Sequence, residues 1–162
     1  VRMMFDDLDA LRMYRFCGER KVPVLVHVDY QAKGSGIYPR PDYWYGGGIE
    51  PLDRALAACP DTSFIGHGPG FWSHISDDDQ ASVPGYPKGP VAGEGKLVAM
   101  LRRRPNLFCD LSAGSGLNAL TRDTAFAVRF LTEFQDRICF GRDYFDKRLK
   151  DFLDGAGLPG VA

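Results

Sequence analysis

Four short apolar runs, spaced along the chain with helix-periodic sequence between them, constrain this 162-residue polypeptide more than any other feature. They are "VPVLVH" (22–27), "SFIGH" (63–67), "NLFCDLS" (106–112) and "RICFGRD" (137–143). A near-continuous apolar run of this length is the pattern of a strand covered on both faces. Strands that alternate with helices cannot be joined by tight hairpins. They lie parallel, and the helices carry the chain back across the sheet.

The helical segments carry their own signals. Leu8 and Leu11 sit in a helix before the first run, ended by Gly18. Pro51 opens a second, in which Leu52, Ala55, Leu56 and Cys59 recur at i, i+3, i+4 and i+7 before Pro60 stops it. A third, over about 96–104, ends in Arg102, Arg103 and Arg104 ahead of Pro105. Cations in a last turn complement the helix dipole, so this run reads as a solvated helix end rather than an anion site. "AGSG" closes the third strand, and Thr121 is expected to cap a helix with Ala127, Phe130, Leu131 and Phe134 on one face. Asp146 is expected to cap a final helix, with Leu149, Phe152 and Leu153 inward and Gly155 at its end. The expected order is α-β-α-β-α-β-α-β-α, in one domain over residues 1–162. Two long loops, 29–48 and about 68–95, follow the first two strands.

Several functional classes drop out early. Twenty basic residues against twenty-one acidic ones leave a formal charge of −1, which offers no broad footprint for nucleic acid or anionic lipid. No apolar run approaches the roughly 18 residues of a membrane span, and no secretory signal pattern is visible. Neither "GSG" nor "GGG" completes G-x-G-x-x-G, so no dinucleotide fingerprint or phosphate cradle is expected. Cys17, Cys59, Cys109 and Cys139 contain no C-x-x-C spacing. Cys109 and Cys139 lie inside apolar runs and read as buried thiols, and a reducing cytoplasm is the expected compartment.

In parallel α/β folds, chemistry collects at the carboxyl ends of the strands. Here those ends carry His27, His67, Asp110 and Asp143. Two neutral imidazoles and a carboxylate suit a divalent ion, zinc first among them. Such an ion lowers the pKa of water toward neutrality, a carboxylate can take the proton, and an imidazole can polarise the substrate or shuttle protons. One strand-end histidine alone is more often structural. Two at equivalent positions, with a terminal aspartate, argue for a site. Asp110, beside Leu111 and Ser112, reads instead as a cap of the "SAGSG" loop through backbone hydrogen bonds. His74, in "FWSHIS", follows no strand and stays outside the site.

The ordered set "VLVHVDY", "FIGHGPGFW", "NLFCDLSAGSG" and "ICFGRDYF" resembles the C-terminal half of the amidohydrolase superfamily, in its amidohydrolase-related (type 2) branch. The resemblance implies a (β/α)8 TIM-type barrel, present here as about four C-terminal βα units, strands five to eight. It implies His27 as the fifth-strand metal ligand, and His67 as the sixth-strand histidine that binds metal or acts on substrate and water. Asp143 matches the eighth-strand aspartate, a ligand and proton acceptor. "LFCDLS" would be the seventh strand, with no obligatory ligand. Arg142 stands where the family commonly has Ser or Thr, and by strand alternation it points away from Asp143. Tyr30 and Trp72, on the catalytic-side loops, are expected against a small-molecule substrate. The family's first-strand H-x-H is absent from this sequence. A complete barrel runs to about 250 residues, so the chain is expected to be the later part of a longer protein. A half-barrel that closes as a homo-oligomer is the alternative. The expected activity is divalent-metal-dependent hydrolysis of a carbonyl compound, with non-oxidative decarboxylation and a non-catalytic assembly module as rivals.

Overall fold

The computed structural model describes residues 3–29, 46–78, 86–141, 143 and 147–158. Its centre is a parallel sheet of β1 (Val24–His27), β2 (Phe64–His67), β3 (Leu107–Asp110) and β4 (Ile138–Cys139), in spatial order 1-2-3-4. Each strand pairs with its predecessor, as expected when every crossover is a helix. This is the α/β fold read from the sequence: four parallel strands, half the number in the (β/α)8 barrel.

Register decides which side chains share a face. Val24 aligns with Phe64 and Phe64 with Leu107, while Val26 aligns with Gly66 and Gly66 with Cys109. These rows face the helices and are buried, apart from Val24, which is partly so. The alternate row, Leu25, Ile65 and Phe108, lies on the other face, where Leu25 is 62% exposed. One residue further on in each strand the polar residues begin. Period-two alternation returns His27 and His67, side by side in register, to the uncovered face.

The helices form where the apolar spacing asks for them. In α1 (Leu8–Glu19), Ala10, Leu11 and Tyr14 are buried, and Tyr14 meets Phe64 edge-on at 5.0 Å. In α2 (Ile49–Ala58), Ile49, Leu52, Ala55 and Leu56 are buried. Beyond β2 come α3 (Pro69–Ser73) and α4 (Lys96–Arg103), the latter burying Leu97, Val98, Met100 and Leu101. After β3 follow α5 (Ala113–Thr121) and α6 (Thr124–Glu133), then a 3₁₀ turn over Gln135–Arg137 that leads into β4. The last helix is α7 (Lys147–Gly155), with Leu149 buried and Phe152 and Leu153 partly so.

The structure corrects several local expectations. Two helices exceed the expected count, α3 and α5. "AGSG" does not merely close β3 but begins α5, because its small residues let that helix pack directly against the chain at Leu111. Thr121 therefore ends α5, donating from Oγ1 to Leu117 O at 2.8 Å, and the cap of α6 is Asp123, which accepts from Phe126 N at 2.9 Å. Gly18 lies inside α1, buried against Thr62, instead of ending the helix, and Leu8 is 73% exposed. The three arginines are not simply solvated. Arg102 bridges Glu94 and Glu133, while Arg103 and Arg104 both reach Asp53 at 2.8 Å. All four cysteines are free. Cys59 and Cys109 are buried, whereas Cys139 is only half-buried. Asp146 and Arg142 lie outside the described residues.

Asn106, at the entry to β3, ties three segments together. Its Nδ2 donates to Leu56 O, Cys59 O and Thr62 O at 3.2, 3.0 and 3.1 Å. Asn106→Ala removes a donor from all three carbonyls, of which Cys59 O keeps its bond from Thr62 N at 3.1 Å. It is expected to lower stability by about 2 kcal/mol, read as a lower denaturant midpoint with an unchanged slope. An unshifted midpoint would show that water replaces the amide at no cost.

Candidate active site at the strand ends

Three consecutive strands deliver polar side chains to one opening. β1 ends on His27, β2 on His67 and β3 on Asp110. The rings of His27 and His67 lie 5.2 Å apart, tilted by 58°. His67 is 8% exposed, enclosed by the turn that Gly68 makes at φ 99°. The same turn starts α3 with Pro69 in its first turn, where proline's missing N–H costs no hydrogen bond.

The two ring nitrogens of His67 have different surroundings. Nδ1 lies 3.0 Å from Asp110 Oδ2 and 3.2 Å from Ser112 Oγ. Nε2 faces Asp143 Oδ2 at 3.9 Å, and the Asp143 side chain is 57% exposed. Burial, and next the neighbouring His67 ring, hold His27 below the ordinary imidazole value. Asp29 and Asp143 pull the other way without winning. His27 is therefore a neutral imidazole at neutral pH.

Asp110 is the residue that sequence reasoning underweighted. Its Oδ1 accepts from Ser112 N at 3.2 Å and from Gly141 N at 3.1 Å, so the expected capping role is present. Its Oδ2 also accepts from Ser112 Oγ and contacts His67. Burial raises its carboxyl pKa, but the hydrogen bonds from His67 and Ser112 outweigh burial and leave it lowered. The available signal was its place at a strand end equivalent to those of His27 and His67.

The substrate-side aromatics come out differently. Trp72 does not line the opening. It is 2% exposed, packs on Phe130 at 6.1 Å, and donates from Nε1 to Asp110 O at 3.0 Å. Because α3 starts directly after Gly68, both Phe71 and Trp72 are carried inward, and Phe71 is fully buried. The expected substrate contact by Trp72 gives way to a packing role that supports the end of β3. Tyr30 lies outside the described residues. His74 is the C-cap residue of α3.

His27, His67 and Asp143 are the residue types that suit a divalent ion, and His67 meets such an ion best. With Nδ1 occupied by a carboxylate, only Nε2 remains to coordinate, which is the common arrangement of a ligating histidine. Among the described residues, no group of three His, Cys, Asp or Glu is gathered closely enough to hold an ion unaided. The donors present fit a metal in kind.

The family model described as "Amidohydrolase" matches residues 3–158. No curated protein and no solved structure gives a match.

Proposed function

From the premise that the chain belongs to the amidohydrolase family, we propose that it carries the C-terminal part of the active site of a divalent-metal-dependent hydrolase acting on a carbonyl-containing small molecule. One observation supports this most: His27 and His67 lie in register at the ends of β1 and β2, and Asp143, which lies beyond the end of β4 and not in the strand expected over 137–143, brings Oδ2 to 3.9 Å from His67 Nε2. His27, His67 and Asp143 would contribute to holding the ion, and zinc suits imidazole and carboxylate donors. A bound divalent ion supplies positive charge that polarises a carbonyl and makes water more acidic. Asp143, exposed at the mouth, accepts the proton released when water attacks. Where His67 is not spent on the ion, its Nε2 lone pair takes a proton from water or substrate and passes it onward. Decarboxylation uses the same residue types and is the alternative chemistry within the family. Four free thiols suit a reducing compartment such as the cytoplasm.

The test is elemental analysis of the protein purified without chelator, followed by a paired assay on the metal-loaded and chelated forms. Ester, amide and lactone hydrolysis is scored against release of carbon dioxide from aromatic acids. Stoichiometric divalent metal with chelator-sensitive hydrolysis is expected. Metal-dependent carbon dioxide release alone would move the assignment to decarboxylase. Failure to bind any divalent ion at micromolar concentration would overturn both.

One observation favours a second reading, an assembling half-barrel. Leu25 is 62% exposed on β1, which among the described residues has a strand partner on one side only. An inert dimer in light scattering, with no affinity for metal, would support that reading.

A further inference from the structure

Which proton His67 carries can be worked out from its neighbours. Asp110 Oδ1 accepts two backbone N–H groups, those of Ser112 and Gly141. Oδ2 accepts the Ser112 hydroxyl. The two backbone N–H groups on Oδ1 can only donate, an arrangement that favours the ionised carboxylate, and Oδ2 of an ionised carboxylate accepts as well. Ser112 has one hydroxyl proton, and that proton is committed to Oδ2. Neither neighbour of His67 Nδ1 can therefore donate to it. A bare lone pair 3.0 Å from a carboxylate oxygen and 3.2 Å from a hydroxyl oxygen would meet only other lone pairs. Nδ1 must carry the hydrogen, shared between Asp110 Oδ2 and Ser112 Oγ.

We propose that Asp110 is the positioning residue of this site: it holds His67 as the Nδ1–H tautomer, so that Nε2 keeps its lone pair turned toward Asp143 and the opening. The inference rests on the functional reading above only in taking Nε2 as the working atom. Its reach is wider than one side chain. Through Gly141 N–H, Asp110 also holds the exit of β4, two residues before Asp143. Trp72 Nε1–H in turn holds the main chain of Asp110 at 3.0 Å. One carboxylate thus ties the orientation of His67 on β2 to the path that brings Asp143 from β4. Across the 3.9 Å between Nε2 and Asp143 Oδ2, an acceptor faces an acceptor. Such a pair takes a proton donor or a cation between its members.

Long-range ¹H–¹⁵N correlation on the full chain with ¹⁵N-labelled histidine tests the inference without metal or substrate. The spectrum is recorded at alkaline pH, where imidazoles are neutral, and His67 is assigned by its loss in His67→Gln. The expected pattern is a protonated Nδ1 and a pyridine-type Nε2. In Asp110→Asn the amide oxygen can keep the bonds from Ser112 N and Gly141 N, while Nδ2 now donates toward His67. The expected result is inversion to the Nε2–H tautomer, with kcat falling more than KM changes. Ser112→Ala, which leaves the carboxylate in place, is expected to keep the wild-type tautomer. An Nε2–H or averaged pattern in the wild type overturns the proposal. So does an unchanged tautomer in folded Asp110→Asn. Should that variant not fold, the wild-type and Ser112→Ala spectra still decide. Correct tautomers in a protein that binds no metal would sink the hydrolase reading and leave this inference standing.

Discussion

His67→Ala is expected to lower metal-dependent kcat by about 10²–10⁴-fold, the usual contribution of a positioned acid–base group. His67 contributes through Nε2, which faces Asp143 at 3.9 Å, and its other nitrogen is held by Asp110. Alanine removes both ends of that link. The loss is expected in kcat, because the imidazole takes a proton in the transition state; remote substrate contacts that set KM are untouched. Stability falls as well, by about 1–3 kcal/mol, since the buried Asp110 carboxylate loses a donor. A thermal melt taken beside the kinetics separates the two effects. Turnover within a factor of two of wild type, in folded protein, would remove His67 from the chemistry and leave it a structural histidine.

The second large effect is on the scaffold. Gly70→Ala is expected to destabilise the protein by about 3 kcal/mol, the upper part of the overpacking range. For a chain of this size that is a fall in melting temperature of about 10 °C. A Cβ at this position would sit 2.2 Å from Asp29 O and 3.0 Å from Val28 O. Both obstacles are backbone, which cannot rotate away as a side chain can. Gly70 N also donates to Val28 O at 2.9 Å, so the contact is a working hydrogen bond and not loose space. The substitution pushes the first turn of α3, directly after His67, away from the segment directly after His27. The spacing of the two imidazoles should change with it, and metal affinity is expected to fall along with the melting temperature. An unchanged melting temperature would mean that the β1 exit and α3 separate freely, and that this contact does not set the site.

Much of this architecture was legible in the chain. The runs ending on His27, His67 and Asp110 form parallel neighbours in sequence order, as alternation with helices requires. Ala127, Phe130, Leu131 and Phe134 are all buried, as their spacing indicates. Errors arose where side-chain size, not polarity, chose the structure. "AGSG" has turn composition, yet it enters a helix because small residues permit close packing on Leu111. Trp72 sits in a loop-like stretch on the catalytic side. The short helix α3 then turns it into the core, where its indole N–H finds the carbonyl of Asp110.

The sequence by itself determined the parallel alternation of strands and helices, most of the buried helix positions and the polar residues that end the first three strands. Those follow from local periodicity and from the way parallel strands must be connected, which are properties of neighbouring residues. It could not determine what Asp110 does. That depends on Asp110 lying 3.0 Å from a histidine 43 positions earlier and 3.1 Å from a backbone N–H 31 positions later. Read locally, an aspartate before "LSAGSG" is a loop cap, and it is one. Only the sheet, by setting β2, β3 and β4 side by side, gives the same carboxylate a second partner and makes the orientation of His67 depend on it. Hydrogen bonds between strands are set by register, and register is a property of the folded sheet.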